Sequence, residues 1–136
     1  MISHLASLGV GDQIVDDQGR ATINLVQLWQ YIVSPVVTTV TQATSRTTGV
    51  TLEGAAGKVQ LVSAAGTTSW QTFTVTNGLV SVNDMILVEQ VSGTDLYLIH
   101  VTAVAAGSFD ITFATTGGTT TEQPVFAFRV LSGRTT

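Results

Sequence analysis

Ser92, Asp95 and His100 stand close together in this chain, and a serine, a carboxylate and an imidazole are the parts of an acyl-transfer triad. The surrounding residues argue against that chemistry. No nucleophile-elbow sequence accompanies Ser92, and serines are frequent throughout the chain. His100 falls inside the alternating run "LYLIHVTAV", with no second histidine or acidic cluster at ligand spacing. The expectation is a packed or hydrogen-bonded strand histidine, not a metal ligand. The other histidine, His4, belongs to a loop-like start. Asp84, Glu89, Asp95 and Asp110 offer carboxylates of the type that cleave glycosides in pairs. Asp84, Asp95 and Asp110 fall in expected turns or on an outward strand face, where solvated carboxylates are the default. The glycines are scattered turn formers without a phosphate-binding motif. No catalytic residue, metal ligand or cofactor is expected, and the chain reads as no enzyme.

The elements that position these residues are strands. From Val36 onward the apolar residues recur with a period of two. Runs are expected at "VVTTVTQ" (36–42), "VTLE", "GKVQLVSA", "WQTFTVT" (70–76), "MILVEQV" (85–91), "LYLIHVTAV" (96–104), "FDITF" (109–113) and "PVFAFRVL" (124–131). Asn77-Gly78 is a strong turn signal, and Pro124 suits the start of a strand. The run at 85–91 reads as buried throughout. In the next, Tyr97, Ile99, Val101 and Ala103 share one face. Short strands at this spacing with glycine-rich turns predict an all-β fold, an antiparallel β-sandwich of jelly-roll type. Its core is expected to hold Phe73, Val75, Ile99, Val101, Phe109, Ile111, Phe113, Phe126 and Phe128.

Composition narrows the function classes. Five basic residues face nine acidic ones, for a net charge of −4, and the basic residues do not cluster. A nucleic-acid groove needs the opposite. Without cysteine there is neither a disulfide nor a thiolate metal site. Ile23 to Val37 is interrupted by polar residues and too short to span a bilayer, and residues 1–11 lack the features of a signal peptide. The reading is a protein made in the cytoplasm, with no membrane and no nucleic acid among its partners. Charged residues are only 10% of the chain against 44% hydrophobic, which favours association.

One segment breaks the β pattern. In "GRATINLVQLWQYIVSP" (19–35), Leu25, Leu28, Trp29 and Ile32 recur at the spacing of one helical face, widened by Val26 and Val33. Thr22 is placed to cap the helix, and Ser34-Pro35 to stop it. The expected organisation is therefore an N-terminal arm over 1–35, with a short amphipathic helix at about 22–33, and a β-sandwich over 36–136. Seven apolar side chains between Ile23 and Val33 exceed what one peripheral helix face needs. Each is worth roughly 1.5–3 kcal/mol when buried, so the arm must cover its own sandwich, a sister subunit or a partner. Leu25, Leu28, Trp29 and Ile32 are the expected partner-interface residues. Arg20, Arg46, Arg129 and Arg134 have the reach to meet acidic groups at an interface rim, and Trp70 and Tyr97 are possible stacking platforms for a sugar.

The segments "TSRTTGVTL" (44–52), "LVSAAG" (61–66), "FTVTN" (73–77), "SGTDLY" (92–97) and "GTTTEQPVF" (118–126) together resemble a β-rich domain recurrent in virion proteins of tailed bacteriophages and prophages. The resemblance spans residues 44–133, about two-thirds of the chain. The front segment "DDQGRATINLVQLWQYI" (16–32) is similar to short phage segments in which an acidic Gly-Arg turn precedes an amphipathic helix. The resemblance implies a structural component of the virion, without catalytic residues. Small stand-alone versions suggest a capsid decoration, or cement, protein. The expectation is thus a protein on the outer surface of the phage head that fastens adjacent subunits of the major capsid protein. It would also contact itself, as a homodimer in preference to a trimer. A tail or head-fibre module is the alternative, and a carbohydrate-binding sandwich the second alternative.

Overall fold

The computed structural model describes residues 35–133, together with the backbone of two short strands at 13–15 and 21–24. The chain divides into two units, Met1–Pro35 and Val36–Thr136. In the first, β1 (Gln13–Val15) pairs antiparallel with β2 (Ala21–Asn24), Gln13 opposite Asn24 and Ile14 opposite Ile23, before the register skips Thr22. This corrects the expected helix start. Thr22 lies in a strand, where β-branched Thr22 and Ile23 are at home, and does not cap a helix. The remainder of the expected helix, with Leu25, Leu28, Trp29 and Ile32, lies outside the described residues.

The second unit holds β3 (Thr38–Thr41), β4 (Val50–Thr51), β5 (Ala56–Gln60), β6 (Ala64–Ala65), β7 (Gln71–Thr76), β8 (Met85–Ser92), β9 (Tyr97–Ala105), β10 (Ser108–Thr115), β11 (Thr121–Glu122) and β12 (Val125–Leu131). Among the described residues there is no helix. Two four-stranded sheets form, β4-β7-β10-β9 and β3-β5-β12-β8, with β6 and β11 as a separate pair. The sheets meet through aromatic side chains in a sandwich-like arrangement. Phe109 of one lies 5.0 Å from Phe128 of the other, and Phe113 lies 5.3 Å from Phe126, both pairs edge to face. Such pairs add to the area term that drives burial.

The expected wholly antiparallel pairing needs correction. β3 runs parallel to β5, and β4 parallel to β7. A jelly roll pairs only antiparallel neighbours, so this strand order is a different one. The cause is the path of the chain. From β3 to β8 the strands of the two four-stranded sheets alternate along the chain, each crossing reversing direction, so successive strands of the same sheet point the same way. The remaining neighbours, including the β9–β10 hairpin, are antiparallel.

Phe73, Val75, Phe109, Ile111, Phe113, Phe126 and Phe128 are buried, while Ile99 and Val101 are partly buried against the same cluster. Two expectations fail locally. β8 is not buried along its length: Ile86 is buried and Val88 packs on the core, but Met85, Leu87 and Val91 are exposed. Its side chains alternate, with Ile86, Val88 and Gln90 turned inward and Met85, Leu87, Glu89 and Val91 turned outward, so an apolar run is shared between two faces. In β9 the alternation holds to Val101, after which the register passes over Thr102, so that Val101 faces Ile111 but Ala103 faces Asp110. This bulge turns Val104, not Ala103, toward the core. Close approach of the sheets also demands a glycine. A Cβ on Gly57 would stand 2.4 Å from Leu52 Cδ2 and 2.9 Å from Phe128 Cε1.

Candidate functional site

Because the strands alternate in direction, the connections 42–49, 61–70, 93–96 and 116–124 all emerge at one end of the sandwich. Four of the five segments that carry the phage resemblance contribute to this end. What gathers them is Arg46, which is 3% exposed. Its expected role at an exposed rim is therefore wrong.

All five guanidinium N–H groups of Arg46 are directed inward. Nε donates to Val62 O (3.1 Å), and Nη1 to Tyr97 Oη (3.0 Å) and more distantly to Ala65 O (3.5 Å). Nη2 donates to Ala64 O (2.5 Å) and Glu122 O (2.7 Å). Since Ala64 and Glu122 are partners in the β6–β11 pair, one side chain holds both short strands. Gln42 fixes the arginine's own turn, donating to Arg46 O (3.1 Å) and Thr48 O (2.9 Å) and accepting from Val62 N (3.3 Å). A guanidinium suits this role because its planar fork carries five fixed donors and no acceptor.

Around it two carboxylates cross-link neighbouring loops. Glu122 accepts from the backbone N–H groups of Thr94 and Asp95, the latter at 2.9 Å. Asp95 in turn accepts from Thr120 N (2.8 Å) and Thr120 Oγ1 (2.6 Å). Gln90 stitches β8 to β9 in the manner of a peptide group, donating to Asp95 O (2.8 Å) and accepting from Tyr97 N (3.0 Å). Gly118 leaves room for Asp95: a Cβ there would lie 2.3 Å from the carboxyl carbon.

Burial pushes the Tyr97 hydroxyl above its ordinary pKa, with the Arg46 guanidinium opposing. For Glu122, desolvation acts upward but is outweighed by the Thr94 and Asp95 N–H groups, which hold the carboxyl below its ordinary 4.5. A depressed carboxyl contributes stability that is present above its unfolded value and lost as pH falls through the folded one. Glu122→Gln should therefore lower stability at neutral pH by about 1 kcal/mol, since one amide oxygen replaces two carboxylate oxygens at a partly exposed site. Wild type and variant should converge as the pH drops below 4.5. Chemical denaturation at pH 7 and pH 3 checks both parts. A difference that persists undiminished at acid pH would remove the assignment.

The residues picked out for catalysis are dispersed among other tasks. Asp95, expected in a solvated turn, is 8% exposed, and its two oxygens are engaged by Thr120. It is buried because the 116–122 loop folds over it. His100 is exposed and faces the Trp70 ring at 5.8 Å, not Asp95 or Ser92. Asp84 accepts from Ser81 N, Ser81 Oγ and Gly133 N, and the Ser81 and Gly133 backbone groups hold its pKa below the ordinary value. Asp110 accepts from Thr74 Oγ1 (2.7 Å), and Glu89 is exposed on β8. Tyr97, proposed as a sugar platform, is 6% exposed and sits in the aromatic core beside Phe126 and Phe113. Among the described residues no three His, Asp or Glu side chains gather where they could hold a metal ion. His4, Arg20 and Arg134 lie outside the described residues.

Sequence reasoning missed Gln90, Thr120 and Glu122. For Thr120 and Glu122 a signal was present in the resembling segment 118–126, whose polar residues have no alternating pattern to explain them; Gln90 lies outside those segments. Beside this end, an open groove of about 570 Å³ runs between the edge strands β8 and β9, lined by Val88, Gln90, Val91, Leu96 and Ile99 among others. The exposed apolar side chains Met85, Leu87, Val91 and Leu98 belong to the same two edge strands, and Leu96 to the connection between them. No protein-family model, curated protein or solved structure matches this chain.

Proposed function

We propose that this chain is a non-enzymatic structural protein of a phage virion, a decoration or cement protein on the outside of the head that fastens adjacent major-capsid subunits, as a homodimer. The resemblance of residues 44–133 supplies the virion setting. The observation that carries the reading is where the resembling segments meet: around a guanidinium whose every donor is spent on the protein's own carbonyls and on Tyr97. Those residues serve rigidity and leave no charge for a substrate. A rigid unit with exposed apolar edge strands suits a protein bound at many equivalent sites on a lattice, where modest contacts sum. The arm residues Leu25, Leu28, Trp29 and Ile32 are assigned to the dimer or capsid contact, which should bury at least about 1,000 Å² in total.

Purified particles provide the test. The protein should be found in heads at a copy number tied to the capsid lattice, and a density map should place it over junctions between capsid subunits. Trp29→Ala should weaken attachment by about 2 kcal/mol or more if Trp29 anchors the contact. Presence in tails and absence from heads would replace this reading by the tail or head-fibre module. Undiminished decoration by the Trp29 variant would remove the arm from the contact.

A further inference from the structure

The outward face of the sheet β4-β7-β10-β9 is of a different kind from the rest of the surface. Thr72, Thr74 and Thr76 point outward from β7 and are exposed. Across the sheet, Thr112 of β10 pairs with Thr72 on one side and His100 on the other. The hydroxyls form a continuous row over three strands, with Thr72 Oγ1 2.8 Å from Thr112 Oγ1 and Thr112 Oγ1 2.7 Å from Thr102 Oγ1. Three hydroxyls carry three protons and this row has two bonds, so one proton and several lone pairs remain for an outside partner. Thr74 and Asp110 continue the row along the strands.

Trp70 follows the outward parity of Thr72 and Thr74. It is 55% exposed, and its ring lies 5.8 Å from that of His100 with the planes 51° apart. Because β10 separates β7 from β9, the indole reaches across the middle of the sheet, where Ala114 is the small outward residue between them. The half-exposed Leu98 borders the pair on β9. A large aromatic held in the open by its neighbours, beside ordered hydroxyls, is unusual for a residue type that folding normally hides.

We propose that Trp70 and His100 form a stacking platform for a neutral pyranose chain, whose hydroxyls are read by Thr72, Thr112 and Thr102. A pyranose ring presents an apolar C–H face to an aromatic and hydroxyls at its rim, which matches this pairing of ring and row. Charge selects the ligand further. The described basic residues Arg46, Lys58 and Arg129 are elsewhere, the first buried and the other two on the opposite sheet, so among the described residues a polyanion finds no lysine or arginine here. Asp110 adds a single carboxylate, which repels polyanions and accepts hydrogen bonds from sugar hydroxyls. The surface is distinct from the β8–β9 groove, and the proposal does not depend on the head assignment.

Affinity electrophoresis of the full chain through gels containing hydroxyethylcellulose, galactomannan, dextran or the polyanion alginate tests the assignment. At least one neutral polysaccharide should retard the wild type, with binding weakened about tenfold or more in Trp70→Ala, by loss of the stacking surface. Thr72→Val and Thr112→Val should each weaken it several-fold while leaving the indole in place, and Leu87→Ser, on the other sheet, should not change it. Circular dichroism and the thermal midpoint of each variant should remain those of a folded protein. Free passage of the wild type through every gel, retardation by alginate alone, or undiminished retardation of Trp70→Ala would overturn the proposal. None of these results bears on where the protein sits in a particle, which the virion analysis reads separately.

Discussion

Arg46→Ala should lower the stability of the sandwich by about 4 kcal/mol, close to the upper end of what single substitutions do. The size follows from what is left behind. Removing the guanidinium orphans the carbonyls of Val62, Ala64 and Glu122, with weaker loss at Ala65 and at the Tyr97 hydroxyl. Buried polar groups without partners cost about 1–3 kcal/mol each, and water admitted to the loop end recovers part of that. A buried charge can often be exchanged for an apolar residue with little loss when both partners are replaced. That route is closed here, because the partners are backbone carbonyls that no substitution removes. Arg46→Lys should recover only a small part, since a single ammonium cannot reach acceptors arranged around a planar fork. Urea unfolding followed by circular dichroism reads the change as a lower midpoint with similar slope. By the size scaling of thermal unfolding, the melting temperature should fall by roughly 20 °C. A loss below about 1 kcal/mol would mean that the network is not the element that locks this end.

Phe113→Ala should cost about as much, some 3–5 kcal/mol, for a different reason. Phe113 is 1% exposed and has three aromatic neighbours, Phe126 at 5.3 Å, Phe73 at 5.9 Å and Tyr97 at 6.2 Å. Truncation loses the transfer energy of the ring and leaves a cavity that strands on both sheets cannot collapse to fill. Phe113→Leu should cost clearly less, about 1–2 kcal/mol, because most of the volume is kept. The two sites should also be coupled. Tyr97 touches the Phe113 ring on one side and receives the Arg46 hydrogen bond on the other. The double variant should therefore lose less than the sum of the single losses, by at least about 0.5 kcal/mol. Strict additivity would show that the apolar core and the polar end are independent.

The two effects mark a division within the molecule. The apolar interior ties the sheets together by area, and the Arg46 end ties the loops together by direction. Under the proposed function the second is the more specialised. A protein seated on a lattice gains from loops that stay ordered before binding, because ordering them at the moment of contact would cost affinity.

By itself the sequence determined the β character and most of the core. The reason is that a period of two reports which side of a strand is buried, and Phe73, Phe109, Phe113, Phe126 and Phe128 each fall on the buried side of a run. Where a strand leaves the regular pleat, or carries apolar residues on both faces, that periodicity stops being informative. Val104 replaces Ala103 in the core because of a bulge, and Met85, Leu87 and Val91 are exposed because they lie on the face of β8 turned away from the core. Neither fact has a local signature. The strand order likewise depends on alternation between sheets, so the parallel β3–β5 and β4–β7 pairs were decided by the tertiary path of the chain. The same holds for the polar end. Arg46 is separated by 76 positions from Glu122 and by 51 from Tyr97, and a hydrogen bond over such a span depends on which loops share an end of the sandwich. Residue type told what Arg46, Asp95 and Glu122 were able to do. Only the tertiary structure decided that they do it for one another, because a buried charge must find its partners inside the fold or not be buried at all.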